Sequence, residues 1–366
     1  KKFCIHTERH DDQILQYSFR KAVELAILTN GVMWSLYLPM KGVDWKERKF
    51  STIDIMEQEI NSVVSNFIDL LAKNLPQVLS VMKGYSAGNI LVVDDASNDG
   101  DYYKVVELVK NLNRQNKLKI TLLRNRKNMG FSSTANVGVK NSSAELVVLL
   151  NSDAVPEKGF LEPILSDFKN DGRLFGVGCM DKSIEKEGVI LRGRGIGYFK
   201  KGFISHSRGE VNKSETFWVS GGSSVVKREI FLKLGGFDPL FNPFYWEDID
   251  LSYRARKSGF NIKFNSKSMV EHRHLEGVIR KHFSKTKVKI IAYRNQFIFL
   301  WKNISDPNLI ISHIFWLPYH AIFAFLRFDI PFFLGFTMAF MRLPAIMERR
   351  SIQKQLYKKQ DKDLLS

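Results

Sequence analysis

The chain has 366 residues, 44% of them hydrophobic, and a net charge of +17. That length suits one large domain or two smaller ones, and the basic excess calls for an anionic partner such as a phosphate-bearing ligand, a membrane surface or nucleic acid. Nucleic acid is excluded first, since no zinc-finger spacing, RNP-like aromatic strand or Lys/Arg-rich reading helix occurs, and two cysteines, Cys4 and Cys179, cannot build a disulfide framework or a thiolate zinc site.

Residues 1–58 read as an N-terminal extension without chemistry. Lys1-Lys2-Phe3-Cys4 has no apolar run behind it, so it is not read as a secretory signal; the missing Met suggests a processed start. Gln13 to Leu28 has helical spacing that Asn30-Gly31 breaks. His6 and His10 stand four apart, but no carboxylate accompanies them, and solvated histidines are expected. A compressed strand is expected over Ile60–Phe67 and a helix over Asp69–Met82.

From there strands and helices alternate with short loops. Asn89–Asp94 is a buried strand ending in the acidic turn Asp94-Asp95-Ala96-Ser97-Asn98-Asp99-Gly100. Tyr102–Leu112 is a helix, Leu118–Leu123 a strand and Phe131–Lys140 a helix. Leu146–Leu150 is apolar at every position, as in a strand buried on both faces. It stops at Asn151-Ser152-Asp153, and Pro156 suits the first turn of a helix over Glu157–Asp167. The alternation predicts a mostly parallel sheet covered on both faces. Acidic loops at its C-terminal edge lie where such sheets bind ligands. Asp153 there either holds a divalent cation against a diphosphate or caps the following helix.

Arg173–Met180 is the next strand. Ile184–Arg208 is Gly-rich, and its Gly193-Arg-Gly195-Ile-Gly197 lacks the flanking strand and helix of a dinucleotide loop. A β-hairpin is favoured there over a mobile cover of the active site. Phe217–Val226 reads as a strand broken by Gly221-Gly222, a sign of close approach by ligand or backbone. Lys227–Leu234 is a short helix. Phe244-Tyr245-Trp246 then opens the helix Glu247–Lys257. Acids in its first turn suit the helix dipole, and Asp250 pairs with Arg254 one turn on. Glu247 and Asp248, beside aromatics able to wall a sugar, suit a general base. Short strands at Ile262–Phe264 and Met269–Glu271 lead to His272, which can reach back toward Asp153 as a second metal ligand.

Beyond about Lys281, helical apolar runs at Ile290–Trp301, Leu309–Leu326 and Ile330–Met341 precede a basic tail. Each is short or interrupted for a full span of roughly 20 apolar residues. Contact with an anionic membrane surface is expected; packing on the catalytic domain or in a homo-oligomer is the alternative.

These motifs resemble the family-2 inverting glycosyltransferases of the GT-A fold over roughly residues 60–275. The C-terminal helices resemble those of bacterial members that build envelope polysaccharide. Val92-Val93-Asp94-Asp95-Ala96-Ser97 looks like the nucleotide-binding acidic loop. Asn128-Met129-Gly130 with Ala135-Asn136-Val137-Gly138 is similar to the family's Asn-x-Gly segment. Asn151-Ser152-Asp153 stands at the Asp-x-Asp position, and Trp246-Glu247-Asp248 resembles the acceptor-base motif.

The resemblance implies a three-layer α/β/α catalytic domain over 59–278 and a membrane-associating helical region over 279–366. It implies transfer of a single hexosyl or deoxyhexosyl unit from a nucleotide-diphosphate sugar to a glycan or lipid-linked acceptor, with inversion. Asp94 or Asp95, with Ser97, Asn128, Gly130, Asn136, Asn151 and Ser152, would bind the donor. Asp153 and His272 would hold Mg2+ or Mn2+. Gly221, Gly222 and Trp246 would face the sugars, and Asp248, beside Glu247, would be the base. The protein would then sit in the cytoplasm, peripheral at the inner face of the cell membrane. Asn151 in place of the first Asp puts more of the metal binding on Asp153. The absence of Gln-x-x-Arg-Trp argues against a processive synthase. A non-catalytic binding or scaffold subunit is the alternative; a nucleotidyltransferase would want a Gly-rich basic loop that Ile60–Phe67 lacks.

Overall fold

The computed structural model describes residues 26–29, 33–37, 49–54, 74–82, 89–97, 99–115, 119–185, 188–272 and 283–365. The chain divides into two units, Lys1–Val64 and Ser65–Ser366. In the first, β1 (Ala26–Thr29), β2 (Met33–Tyr37) and β3 (Lys49–Asp54) form an antiparallel sheet in the order β1-β2-β3. The helix expected over Gln13–Leu28 is therefore corrected at its end. Thr29 pairs with Trp34, so the last residues of that segment are extended. His6, His10 and the strand expected at Ile60–Phe67 lie outside the described residues.

The second unit opens with a helix over 74–82, α1. Then follow β4 (Ile90–Asp94), α2 (Asp99–Gln115), β5 (Ile120–Arg124), α3 (Gly130–Asn141), β6 (Leu146–Leu150), β7 (Ala154–Pro156), α4 (Leu161–Asn170) and β8 (Leu174–Glu185). Next come β9 (Gly188–Arg192), β10 (Gly195–Lys200), β11 (Phe203–Arg208), β12 (Ser223–Lys227), α5 (Arg228–Lys233), α6 (Glu247–Lys257) and β13 (Asn261–His272). Four helices close the chain: α7 (Lys285–Asn303), α8 (Pro307–Leu326), α9 (Ile330–Phe340) and α10 (Leu343–Lys354).

The α/β class holds. β4 and β5 pair in parallel, and a larger sheet runs β6-β12-β8-β13-β7, with β9 at the side of β8. Its direction is mixed. β13 runs parallel to β8, whereas β12 is antiparallel to both β6 and β8, and β7 is antiparallel to β13. β6, β8 and β13 thus point the same way and deliver their ends to one edge.

Two cores follow from strand alternation. Val226 of β12 faces Phe175, Phe231 of α5 and Leu251 of α6. Its neighbour Val225 faces the other way, to Leu174, Val177 and Ile164 of α4. Each such side chain contributes roughly 1.5–3 kcal/mol by leaving water. A third core joins the β10–β11 hairpin to α6 and the C-terminal helices through Phe203, Trp246, Phe297 and Phe332. The C-terminal helices fall within the second unit.

Several boundaries move. Pro156 belongs to β7, which pairs with β13 through Val270, and the helix begins only at Leu161. Asp153 therefore caps no helix: it stands in the turn between β6 and β7. The segment 188–208 is β9 and the β10–β11 hairpin, as the bland reading expected. Residues 217–222 are outside the strand, which starts at Ser223. The two short strands near Phe264 and Met269 are one, β13, with a register shift between Asn265 and Met269.

Candidate active site

The turn after β6 is gripped on two sides. Asn74 of α1 donates its amide to the Ser152 carbonyl at 2.7 Å, and Asn151 N–H donates to the Gly222 carbonyl at 2.9 Å. A Cβ at Gly222 would stand 2.3 Å from the side-chain Nδ2 of Asn151, so a larger residue there would displace that side chain. Asp153, thus placed, meets the end of β13: its Oδ1 lies 3.2 Å from His272 Nε2. His272 Nδ1 lies 2.7 Å from Asp181 Oδ2. Burial opposes charge on this imidazole, but the hydrogen bonds to Asp153 and Asp181 outweigh it and raise its pKa to about 10.

This donor set fits a divalent cation once His272 gives up the proton it shares with Asp153, because a ligating imidazole must be neutral. Ligands at about 2.1 Å in adjacent octahedral positions stand about 3 Å apart, close to the Asp153–His272 spacing. A carboxylate on the far ring nitrogen is the usual second partner of a metal-bound histidine. Among the described residues no group of three His, Cys, Asp or Glu converges as a closed cage. Asp153 and His272 alone would leave the other positions around such a cation to oxygens of a ligand or water. The Ser152 hydroxyl in the same turn is buried with no hydrogen-bond partner among the described residues, a group that a ligand could satisfy.

Asp94 ends β4, accepts the Ser97 hydroxyl and amide, and pairs with Arg124 at 3.3 Å. Asp95 receives the N-terminal amides of α3: Met129 N–H at 2.9 Å and Gly130 N–H at 2.8 Å, with the Asn125 side chain at 2.7 Å. Asn128 accepts the Gly130 amide at 3.2 Å. Asn136 bonds the Phe237 backbone with both ends of its amide, at 2.7 and 2.9 Å, and so ties α3 to the loop before α6.

The α6 side is strained and braced. Tyr245 and Trp246 both adopt left-handed φ, 71° and 76°, at a cost of order 1–3 kcal/mol each. Asn295 of α7 holds that backbone by donating to the carbonyls of Phe241, Phe244 and Tyr245 at 2.8–3.0 Å. The bend aims Asp248 at the Gly pair: its carboxylate accepts the backbone amides of Ile249 and Gly221. Asp248 is densely surrounded yet keeps partial access to solvent. Burial raises its pKa to about 6, against the pull of those amides. Glu247 is buried, and burial together with the Asp248 charge pushes its pKa well up; its Oε2 has no hydrogen-bond partner among the described residues.

Asp250 is structural, as the one-turn pairing implied. Arg254, Lys302 and Asn303 all bond its carboxylate, at 2.7–3.0 Å. Trp246 is less open than expected of a sugar wall, being packed edge-on to His206 and tilted against Phe299. Of the three aromatics before α6, Tyr245 is the exposed one.

Gly221-Gly222 therefore joins two halves. Gly222 touches the turn that carries Asp153, Gly221 bonds the Asp248 carboxylate, and a Cβ at Gly221 would meet the Phe131 ring at the start of α3 at 3.0 Å. Sequence reading missed Asp181, Asn295 and Lys302. Asp181 had a signal, since it follows the apolar strand residues 174–180 as Asp153 follows β6. Asn295 and Lys302 had none: both sit inside an aromatic-rich helix.

Residues 63–235 match the family model Glycosyl transferase family 2. This stretch is a family-2 glycosyltransferase domain. The chain is 23% identical over 205 residues to poly-beta-1,6-N-acetyl-D-glucosamine synthase of Staphylococcus aureus, covering 56% of this chain and 47% of that one. It is 26% identical over 294 residues to putative polypeptide N-acetylgalactosaminyltransferase 13 of Drosophila melanogaster, covering 74% and 50%. The chain spans a quarter to a half of the length of the curated relatives it matches. Among solved structures it is similar to GalNAc-T7 with UDP, GalNAc and Mn2+, at 17% identity and a TM-score of 0.48, covering 56% of this chain and 40% of that one. That likeness is too loose to carry further argument.

Proposed function

We propose that this glycosyltransferase moves a single sugar from a nucleotide-diphosphate donor to a hydroxyl of a glycan or lipid-linked acceptor, with inversion. The observation that carries the reading is the Gly221-Gly222 bridge, which puts the Asp153–His272 pair and Asp248 at one sheet edge. The acidic loop after β4, the α3 N-terminus and the Ser152 turn form the donor side. Asp153 and His272 hold the cation there, with Asp181 orienting the imidazole. A bound Mg2+ or Mn2+ supplies positive charge against the leaving diphosphate.

Asp248 takes the proton of the acceptor hydroxyl, whose oxygen attacks the anomeric carbon as the bond to the diphosphate breaks. Its raised pKa makes it a stronger base than a free carboxylate while leaving it ionised at neutral pH. Burial and the Asp248 charge push the Glu247 carboxyl well up, which disfavours a second negative charge beside the base. One base and one displacement give inversion.

The C-terminal helices support a place at an anionic membrane surface. α8 is 20 residues long and meets the length and composition of a span, with 11% of its apolar window buried. Phe315, Phe325, Leu326 and Phe328 are exposed along it and just beyond, and Arg327 lies 4.0 Å over the Phe323 ring. Apolar surface with cations at its border is what an interfacial helix presents.

The test is direct. Thermal shift against UDP-, dTDP- and GDP-sugars with Mn2+ selects the donor, and turnover of that donor is then measured. Asp248→Asn is expected to lower turnover by about 10²–10⁴-fold; unchanged turnover would overturn the base assignment.

A further inference from the structure

The glycine run Gly193-Arg-Gly195-Ile-Gly197 binds no dinucleotide, and its position explains it otherwise. Gly195 and Gly197 lie on one face of β10. A Cβ on Gly195 would stand 1.8 Å from the Trp218 ring, and one on Gly197 would stand 2.3 Å from the Phe217 ring. The bare strand is a seat for two aromatic rings. His206 of β11 is the cross-strand partner of Gly197, so its side chain rises on the same face, beside Trp218.

There His206 stands between two indoles. Its ring is 5.4 Å from Trp218 and 5.1 Å from Trp246, edge-to-face with both. Its flanks are covered, but the residue is exposed, and no described residue bonds its ring nitrogens. Burial on those flanks lowers its pKa, so the imidazole is neutral at pH 7 and offers one donor and one acceptor. Trp218 keeps part of its surface open. Both indoles lie close to the base along the chain. Trp246 is two residues before Asp248, and Trp218 is three residues before Gly221, whose amide bonds the Asp248 carboxylate.

We propose that His206 and Trp218 form the acceptor subsite of this transferase and that it takes a saccharide ring. A pyranose has an apolar C–H face and a rim of hydroxyls. An indole edge with a neutral imidazole offers a matching apolar surface and hydrogen-bonding edge. The Asp153–His272 side carries carboxylates and an imidazole suited to a cation that would meet a diphosphate, so the two substrates are divided between the two sides of Gly221-Gly222. The inference rests on the transferase reading.

The test uses the full chain, the donor chosen above, and a panel of oligosaccharides ending in glucose, galactose, mannose or N-acetylglucosamine. With the best acceptor, His206→Ala and Trp218→Ala are each expected to raise the acceptor KM at least tenfold. Transfer relative to donor hydrolysis should fall by a similar factor, and donor affinity by calorimetry should move less than twofold. His206→Phe, which keeps a ring and loses the hydrogen bond, should fall between His206→Ala and the parent; it also shows that the hairpin still folds. Acceptor KM within twofold of the parent in both alanine variants overturns the subsite. Absence of any donor turnover by the parent chain overturns the transferase reading, and the subsite with it.

Discussion

α7 and α8 are neighbours of nearly equal length, 19 and 20 residues, and they use their residues in opposite ways. α7 carries cations and amides, yet Arg294, Asn295, Lys302 and Asn303 are all buried. α8 is the more apolar, yet His313 and Ala324 are its only buried positions among the described residues. In α7 the polar groups are under load: Asn295 holds the left-handed backbone before Asp248, and Lys302 bonds Asp250 and Asp238. In α8 the polar groups only dock the helix, as His313 and His320 each bond a backbone carbonyl in the Gly202 and Lys201 turn at 2.8 Å. Hydropathy alone would have sent the wrong helix inside. Partner chemistry decides burial here: a cation goes inside when carboxylates, as for Lys302, or carbonyl oxygens, as for Arg294, await it, and an apolar face stays outside when no protein covers it.

The largest effect should come from breaking the α6–α7 strut. Lys302→Met leaves Asp250 and Asp238 short of a cation and should cost about 3–5 kcal/mol, read by urea unfolding. A cost under about 1 kcal/mol would mean that α7 is packing, not support.

Asp248 couples to the same strut and carries a pH signature. As a base it works ionised, so transfer should fall below about pH 6, roughly tenfold per unit. Its stability effect has the opposite sense. A folded pKa of about 6 lies above the ordinary 3.8, so its contribution is full below about pH 4 and is lost as pH rises through about 6. Asp248→Asn should therefore be more stable than the parent at pH 8, by up to about 3 kcal/mol, while being the poorer enzyme. A lower melting temperature for Asp248→Asn at pH 8 would show that the carboxylate is not strained by burial.

On α8 the expectation inverts. Phe315→Ser and Phe325→Ser should each weaken sedimentation with phosphatidylglycerol vesicles by roughly 10–100-fold, from about 1.5–3 kcal/mol per phenyl group. Folding stability should change by less than about 0.5 kcal/mol. Retained vesicle binding together with a fall in oligomer mass would assign the face to a second copy of the chain. The smallest effect belongs to α8's anchor: His320→Ala removes one exposed hydrogen bond and should cost about 1 kcal/mol or less.

Some of this was legible beforehand because it is written in local periodicity. The apolar run Leu146–Leu150, its abrupt end at Asp153, and the aromatic approach to Glu247 and Asp248 needed no knowledge of neighbours. β6, α6 and the one-turn Asp250–Arg254 pair came out at the residues those patterns gave, but β6 is not buried on both faces: it stands at the end of its sheet and is mostly half-buried. What chain order could not supply were relations between distant residues. That β12 runs against β6, that Pro156 joins a strand, and that one continuous β13 carries His272 to Asp153 are matters of pairing across more than 70 residues. Gly221-Gly222 announced a close approach without naming Asn151 or Asp248, and Gly195 and Gly197 did so without naming the rings they seat. Short-range pattern determines which segments are strands and helices and which acids stand at their ends. Only the packed chain decides which of those acids share a cleft, because burial and counter-charge depend on what arrives from elsewhere in the sequence.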